Sequence, residues 1–599
     1  MPRNTVQPNA WVALKLPNGN ARILQITPST TVSLGKYGSF PSNLLIERPY
    51  HLTYEIQDKR DDENFSRLRV VPGTELNADA LVDTTAEDET TTATPETEPA
   101  NQDNSGSGNG EVVDSEAMIA AAVGEELALA DEDAAAVATT AEGSNGNGAV
   151  AVITRKTFDE QARQTLTTEE IEELKRKGAG AGREIVAKLL LRHTAIDQKT
   201  AYSLAKYKLL KEKKYVRRFT VLPLDVPMLA QWMLEDKDAS KILELRQEAL
   251  ALIGCWADVH FGGMPLEGAT TPHGGRWLAV DDTGGLLVAA MAERMGILYR
   301  DEDQTDSTDD QTEQIPTQDP AATENANGSG DAISTTRASR KRPHKDDLAP
   351  HYALTNTITL IHANSQPNLS LLRYFDFDAS DPNPQEAHHP LATHLLPVSW
   401  LQVLSPSDDP TYAERPAEVT LEELQSWKTN RRGNYHRKRR RWARAQQIVD
   451  GTRAGGFAGL AVASTMDPVS VLRHALPLLA GGSPLAVYSP TVEPLTQLAD
   501  CFSIGRRGAW VAAPPPEVEG RSQAELDAWP GSPEFPINPT LLVGVSVQTT
   551  RAKRWQVLPG RTHPLMMGKG GAEGYLLTGW RAIPAEGRIS ARGKFQKRR

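Results

Sequence analysis

The chemistry-bearing residues of this chain are mostly cations. Lys206, Lys208, Lys211, Lys213, Lys214, Arg217 and Arg218 fall within thirteen residues, with one acid among them and with Tyr207, Tyr215 and then Phe219 interleaved. Lysine and arginine neutralise phosphates, and neighbouring aromatic rings stack on exposed bases, so this mixture suits nucleic acid. A solvated helix face has the same composition. A second run, Arg431-Arg432 and then Arg437-Lys438-Arg439-Arg440-Arg441 with Trp442 and Arg444, contains no acid. It reads as a nucleic-acid contact, as a nuclear-localisation cluster, or as both. The C-terminal GRISARGKFQKRR adds a third basic segment.

The other constellation is a turn. Arg276–Val280 reads as a strand, Asp281-Asp282-Thr283-Gly284-Gly285 as a turn, and Leu286–Met295 as a helix closed by Gly296. An acidic strand end, glycines and a helix make the first unit of a nucleotide-binding α/β fold. A working pocket needs glycines where backbone meets ligand, usually as G-x-G-x-x-G. Here Gly284 and Gly285 stand alone and Leu286 and Leu287 follow at once. The turn Asp281, Gly284, Gly285 is therefore expected to be vestigial, the rival being a nucleotide or S-adenosylmethionine pocket. Asp281 and Asp282 read as strand-end or loop carboxylates. The thirteen histidines are scattered, and no H-E-x-x-H, G-x-S-x-G or Walker-type glycine loop occurs. Neither a catalytic set nor a metal set is expected.

The elements that must position these groups follow from composition. Of 599 residues, 24 % are charged and the net charge is −12. Residues 74–150 hold 18 acids and residues 301–333 hold 10, neither stretch with a Lys or Arg. Outside them 65 bases face 49 acids, so the foldable part is basic and favours a polyanionic partner. Two cysteines exclude a disulfide framework and point to a reducing compartment. There is no run of eighteen apolar residues and no signal-peptide pattern at the start, so no membrane association is expected.

Residues 1–73 read as a small antiparallel β domain, expected to close as a barrel. WVALKL and ARILQIT flank an Asn-Gly turn, and Thr30–Leu34 and His51–Ile56 add strands. Residues 74–150 are a low-complexity insertion expected to be disordered. Residues 151–222 are expected to be a basic helical part of the N-terminal domain, and residues 223–300 to begin a Rossmann-like domain with a helix over Lys241–Trp256. Residues 301–349 form a second acidic insertion. Residues 350–583 complete the doubly wound, mostly parallel sheet and include one long basic helix over residues 421–449. Residues 584–599 are a basic tail.

Several long blocks then carry a resemblance: VALKLPNGNARILQITPSTTVSLGKYGSFPSNLLIERPYHLTYEI, LTTEEIEELKRKGAGAGREIVAKLL, KYKLLKEKKYVRRFTVLPL, WLAVDDTGGLLVAAMAERMG, GGFAGLAVASTMDPVSVLRHALPLL and RWQVLPGRTHPLMMGKGGAEGYLLTGW. Together they resemble the non-catalytic subunit of the eukaryotic tRNA (adenine-N1)-methyltransferase across almost the whole chain. The resemblance implies an N-terminal β-barrel domain and a degenerate Rossmann-like methyltransferase domain that binds no cofactor. It also implies tRNA as ligand, a nuclear complex, and a catalytic paralogue that uses S-adenosylmethionine, as a heterotetramer. It places tRNA contacts at Thr167, Glu170 and Lys175, along Lys206–Arg218 (Lys206, Lys208, Lys211, Lys213, Lys214, Tyr215, Arg217, Arg218), at Ser464 and Thr465, and at Arg561 and His563. Arg437, Lys438, Arg440 and Arg441 join that set on charge alone. The alternatives are an active RNA methyltransferase in its own right and a nuclear protein-binding scaffold.

Overall fold

The computed structural model describes residues 4–57, 65–76, 169–171, 181–193, 201–262, 275–299, 356–380, 389–549, 552, 555–558, 561–564 and 572–583. Thr167, Lys175, the basic tail and nearly all of both acidic insertions lie outside them. By contacts the chain divides into two compact units, Met1–Val71 with Val216–Arg599, and Pro72–Tyr215.

The first unit opens on two hairpins. β1 (Trp11–Lys15) pairs antiparallel with β2 (Ala21–Gln25) across the Asn-Gly turn, and β3 (Thr31–Ser33) pairs with β4 (Ser39–Pro41). β5 (Thr53–Ile56) and β6 (Leu68–Val70) form a further pair. The strand that unites them comes from far downstream: β7 (Arg218–Pro223) lies between β1 and β5, so the sheet order is β2-β1-β7-β5-β6. The helical reading of residues 151–222 therefore needs correction at its end. Arg218–Pro223 alternates its burial as a strand does, with Phe219 and Val221 turned into the core. Phe219 stacks on Phe40 with centroids 5.0 Å apart. The barrel expectation is also modified: among the described residues β2 and β6 remain edges, and the β3–β4 hairpin contributes Val32 and Phe40 to the same core.

A seven-stranded sheet follows, built from β8 (Arg276–Asp281), β9 (Thr357–His362), β10 (Leu395–Ser399), β11 (Gly459–Ala463), β12 (Pro484–Ser489), β13 (Leu542–Gln548) and β16 (Tyr575–Arg581). Between β13 and β16 stands a separate ribbon of β14 (Trp555–Leu558) and β15 (Arg561–Pro564). The sheet order is β10-β9-β8-β11-β12-β16-β13. The five strands from β10 to β12 are parallel in the 3-2-1-4-5 order of a doubly wound domain, and β16 enters antiparallel beside β12. This is the Rossmann-like arrangement. Strands β9, β11 and most of β8 are buried at every position, as parallel strands covered on both faces must be.

Two helices, α3 (Val226–Glu235) and α4 (Gln247–Trp256), and α5 (Leu286–Met295), buried at every position but Glu293 and Arg294, cover one face. α5 is apolar around most of its circumference because core surrounds it. The single helix expected over Lys241–Trp256 is broken: Leu243 and Glu244 take left-handed conformations, so a short turn precedes α4. The expected helix over residues 421–449 is broken too. Leu421–Ser426 forms a short helix, Trp427 is extended, and α6 (Thr429–Arg453) starts afresh. On the far side lie α7 (Pro468–Ala475), α8 (Glu493–Cys501) and α9 (Ile504–Ala512). Trp11 of the first sheet packs edge-on against Tyr374 at 5.0 Å, and Ala21 N–H donates to Asp236 at 3.0 Å, so the two sheets of this unit share a packed boundary.

In the second unit, α1 (Ala181–Leu191) and α2 (Ala201–Tyr215) pack on each other through Ile185, Leu189 and Tyr215.

Candidate nucleic-acid interface

The turn after β8 is closed from within. Asp281 is 5 % exposed. Its Oδ1 accepts from Thr283 N–H at 2.6 Å and from Thr283 Oγ1 at 2.5 Å, and its Oδ2 accepts from Val288 N–H at 3.0 Å. Thr283 Oγ1 in turn accepts from Leu287 N–H at 3.1 Å. In a nucleotide-binding unit the first N–H groups of this helix face the ligand; here Asp281 and Thr283 consume two of them. Burial pushes the Asp281 carboxyl above its ordinary range, partly offset by the Thr283 and Val288 donors.

The glycines are occupied as well. Gly284 and Gly285 have φ of +72° and +92°, the left-handed region that favours glycine. The space beside them holds side chains of this chain, not an open cleft. A Cβ on Gly285 would meet Leu369 and Leu372 at 3.2–3.3 Å, and one on Gly284 would meet Leu371 at 3.5 Å. Leu371 N–H donates to Gly284 C=O at 3.0 Å, which ties the covering segment to the turn. A nucleotide or S-adenosylmethionine at this turn would need the space that Leu369, Leu371 and Leu372 occupy, so the residues present do not fit either.

Asp282 does different work. Its Oδ2 accepts from Ser464 Oγ at 2.5 Å, from Thr465 N–H at 3.0 Å and from Thr465 Oγ1 at 3.3 Å. The structure thus brings predicted residues Ser464 and Thr465 to the turn after β8, at the carboxyl ends of β8 and β11 where the strand order reverses. Asp282 was legible only as a loop carboxylate; nothing in its spacing announced a partner 182 residues away.

The Lys206–Arg218 run is divided between the two units. Lys206, Lys208, Lys211 and Lys213 are half-buried and Lys214 is exposed on α2. The aromatics are engaged. His193 meets Tyr207 edge-on at 5.3 Å, the Lys211 ammonium lies 4.9 Å from the Tyr207 centroid, and Tyr215 packs against Ile185 and Leu189. Tyr215 is half-buried, so its ring contributes to the packing of this unit. Burial also raises its phenol above the ordinary range. Arg217 and Arg218 sit at the start of β7. Arg218 is in register with Glu55 and its Nε lies 3.9 Å from Glu55 Oε1, while Arg69 pairs with the same carboxylate. Arg218 is therefore a cross-strand partner within the first sheet. Glu170 is exposed.

On α6, Arg437, Lys438, Arg440 and Arg441 are exposed and Arg444 is half-buried, its Nη2 donating to Ala392 C=O at 2.9 Å. Arg561 and His563 lie in β15, in register with Leu558 and Gln556 of β14. His563 is half-buried. Sequence reading passed over β14, whose Trp555 and Val557 are exposed. Among the described residues no cluster of His, Cys, Asp or Glu could hold a metal ion, and no helix is long and apolar enough to cross a membrane.

Comparison with known proteins gives a consistent result. The Gcd10p family model matches residues 5–428. The non-catalytic subunit of tRNA (adenine(58)-N(1))-methyltransferase from Aspergillus oryzae is 43 % identical, with 99 % of this chain and 95 % of that protein covered. Its counterpart in Aspergillus fumigatus is 42 % identical over the same shares. That of Schizosaccharomyces pombe is 24 % identical, covering 100 % of this chain and 96 % of that one. Among solved structures, a tRNA (m1A58) methyltransferase from Aquifex aeolicus aligns with a TM-score of 0.27 and 10 % identity, covering 61 % of this chain and 79 % of that one.

Proposed function

The chain belongs to the Gcd10p family, and from that premise we propose how it serves as the non-catalytic subunit of a tRNA (adenine-N1)-methyltransferase. It is not an enzyme on its own. The designation of its relatives as a non-catalytic subunit implies a catalytic partner subunit, and in this reading that partner uses S-adenosylmethionine while this chain binds none. The closed turn supports that division of labour: Leu369, Leu371 and Leu372 fill the space beside Gly284 and Gly285, and Asp281 is saturated by its own chain. This is the observation that carries the reading. The assembly is a heterotetramer in the nucleus, and this subunit holds the tRNA.

The mechanism is positional. A T-loop adenosine is held in tertiary contacts, and exposing a stacked base costs a few kcal/mol. Cations along α2 (Lys206, Lys208, Lys211, Lys213 and Lys214) and on α6 offset that cost through phosphate contacts that do not depend on sequence. Ser464 and Thr465, held by Asp282, and Arg561 and His563 on the ribbon add polar contacts. An independently active methyltransferase is not favoured, because the donor turn is filled.

The test is reconstitution. The catalytic subunit alone, this chain alone and the two together are assayed for methyl transfer to tRNA. Activity is expected only from the pair. Charge reversal at Lys213 and Lys214 on α2 is expected to weaken tRNA binding by the pair and flatten its salt dependence. Methyl transfer by this chain alone, or tRNA binding indifferent to both lysines, overturns the reading.

A further inference from the structure

α6 changes the face it buries halfway along its length. In its last turns Ile448, Val449 and Thr452 are buried against the sheet. In its first turns the same face carries Asn430, Asn434, Arg437, Lys438 and Arg441, all exposed. These positions keep the three- and four-residue spacing of one helical face. The opposite face of this half is the covered one. Tyr435 O–H donates to Ala417 C=O at 2.9 Å, and Trp442 Nε1 donates to Tyr412 C=O at 3.1 Å. Arg431 lies over the Trp427 ring at 4.1 Å, and Arg415 over the Trp442 ring at 5.6 Å.

Two consequences follow. First, the helix is electrostatically self-opposed. It has no acid before Asp450, carries Arg431 and Arg432 in a first turn where the macrodipole is positive, and sets Arg437 four residues from Arg441. A polyanion along the exposed stripe relieves all three. Second, the stripe offers no ring: Trp427, Tyr435 and Trp442 are committed to the covered side, so unpaired bases find no stacking platform. What remains is a row of cations at the spacing of a helix face, which recognises phosphates and nothing else.

We propose that the stripe Arg437, Lys438 and Arg441 seats the phosphate backbone of a double-helical RNA stem, sequence-independently, with Arg441 at one end lining a cleft of about 160 Å³ together with Gln402 and Arg444. This rests on the reading of the chain as an RNA-holding subunit and assigns one of its surfaces to paired rather than unpaired RNA.

The test uses the full chain, alone and with its catalytic subunit, and three probes: a short blunt-ended RNA duplex of mixed sequence, an oligouridine of equal phosphate count, and a polyglutamate peptide. The duplex is expected to bind best. The variant R437A/K438A/R441A is expected to lose that preference and to show a shallower salt dependence. At about 0.9 log units per neutralised phosphate, three lost contacts lower the slope by roughly 2.7. A fourfold rise in salt then weakens the wild type roughly 40-fold more than the variant. R437K/R441K is expected to retain most of the binding, and an unchanged melting temperature shows that each variant is folded. Equal or tighter binding of oligouridine or polyglutamate, or an unchanged slope, overturns the proposal. If wild type and variant hold intact tRNA equally, the α6 assignment alone fails; if wild type ignores tRNA with its partner present, the reading beneath it fails.

Discussion

Replacing Asp281 separates a structural carboxylate from a ligand-binding one. In Asp281→Ala, Thr283 N–H, Thr283 Oγ1 and Val288 N–H lose their acceptor inside a site that is 5 % exposed. Each orphaned buried donor costs about 1–3 kcal/mol. The Thr283 hydroxyl still accepts from Leu287 N–H and can turn to another acceptor, so the sum is placed near 4 kcal/mol rather than at the upper end. For a domain of this size one kcal/mol moves the melting temperature by about 2–4 °C, giving a loss of roughly 8–16 °C. Asp281→Asn keeps one oxygen, but its amide N–H faces Val288 N–H across 3.0 Å, and about half the effect is expected. The assay is urea and thermal denaturation of the full chain, with the denaturant slope checked for constancy. A stable Asp281→Ala protein refutes the assignment. So does measurable S-adenosylmethionine binding to the wild type that this substitution abolishes.

Two further expectations concern the scaffold. His362, His394 and His474 are all held below the ordinary histidine range, chiefly by burial. The unfolded chain therefore takes up more protons than the folded one as pH falls below about 6.5, and stability declines from there downward. The melting temperature should drop between pH 7.5 and 5.5, and H362N/H394N should flatten that drop; an unchanged dependence in the double variant contradicts it. Arg218→Ala removes a half-buried partner of Glu55 in the first sheet and is expected to lower stability by about 1 kcal/mol, read as a shift in the urea midpoint. A variant as stable as wild type that instead loses RNA affinity would return Arg218 to the binding surface.

Local signals were most legible where they coincide with burial. Arg276–Val280, the glycine turn, Leu286–Met295 and Gly296 are all in place because strand, turn and cap residues agree along a few consecutive positions. β7 was missed because Arg217 and Arg218 extend a basic run into Phe219 and Val221, and only pairing with β1 and β5 makes that segment a strand. β14 and β15 were missed for the same reason: a two-stranded ribbon leaves little periodic burial to read. The break at Trp427 was hidden inside a continuous polar pattern. In the candidate site, cation content was visible from composition, whereas the engagement of Tyr207, Tyr215 and Arg218 with their own unit was not. The closure of the donor turn by Leu369–Leu372 depends on a segment more than eighty residues further on, beyond any local rule.

The position of β7 has a bearing on how the molecule is made. Its partners β1 and β5 leave the ribosome about 200 and about 160 residues before it does, so the first sheet waits, unfinished, until Pro223 has emerged. The intervening length matters little at equilibrium, since each doubling of a flexible loop adds only about 0.6 kcal/mol to closure. Its effect falls on synthesis: the N-terminal third of the nascent polypeptide carries unpaired strand edges for as long as translation of that stretch takes, and the order of assembly is dictated by a single late-arriving hexapeptide.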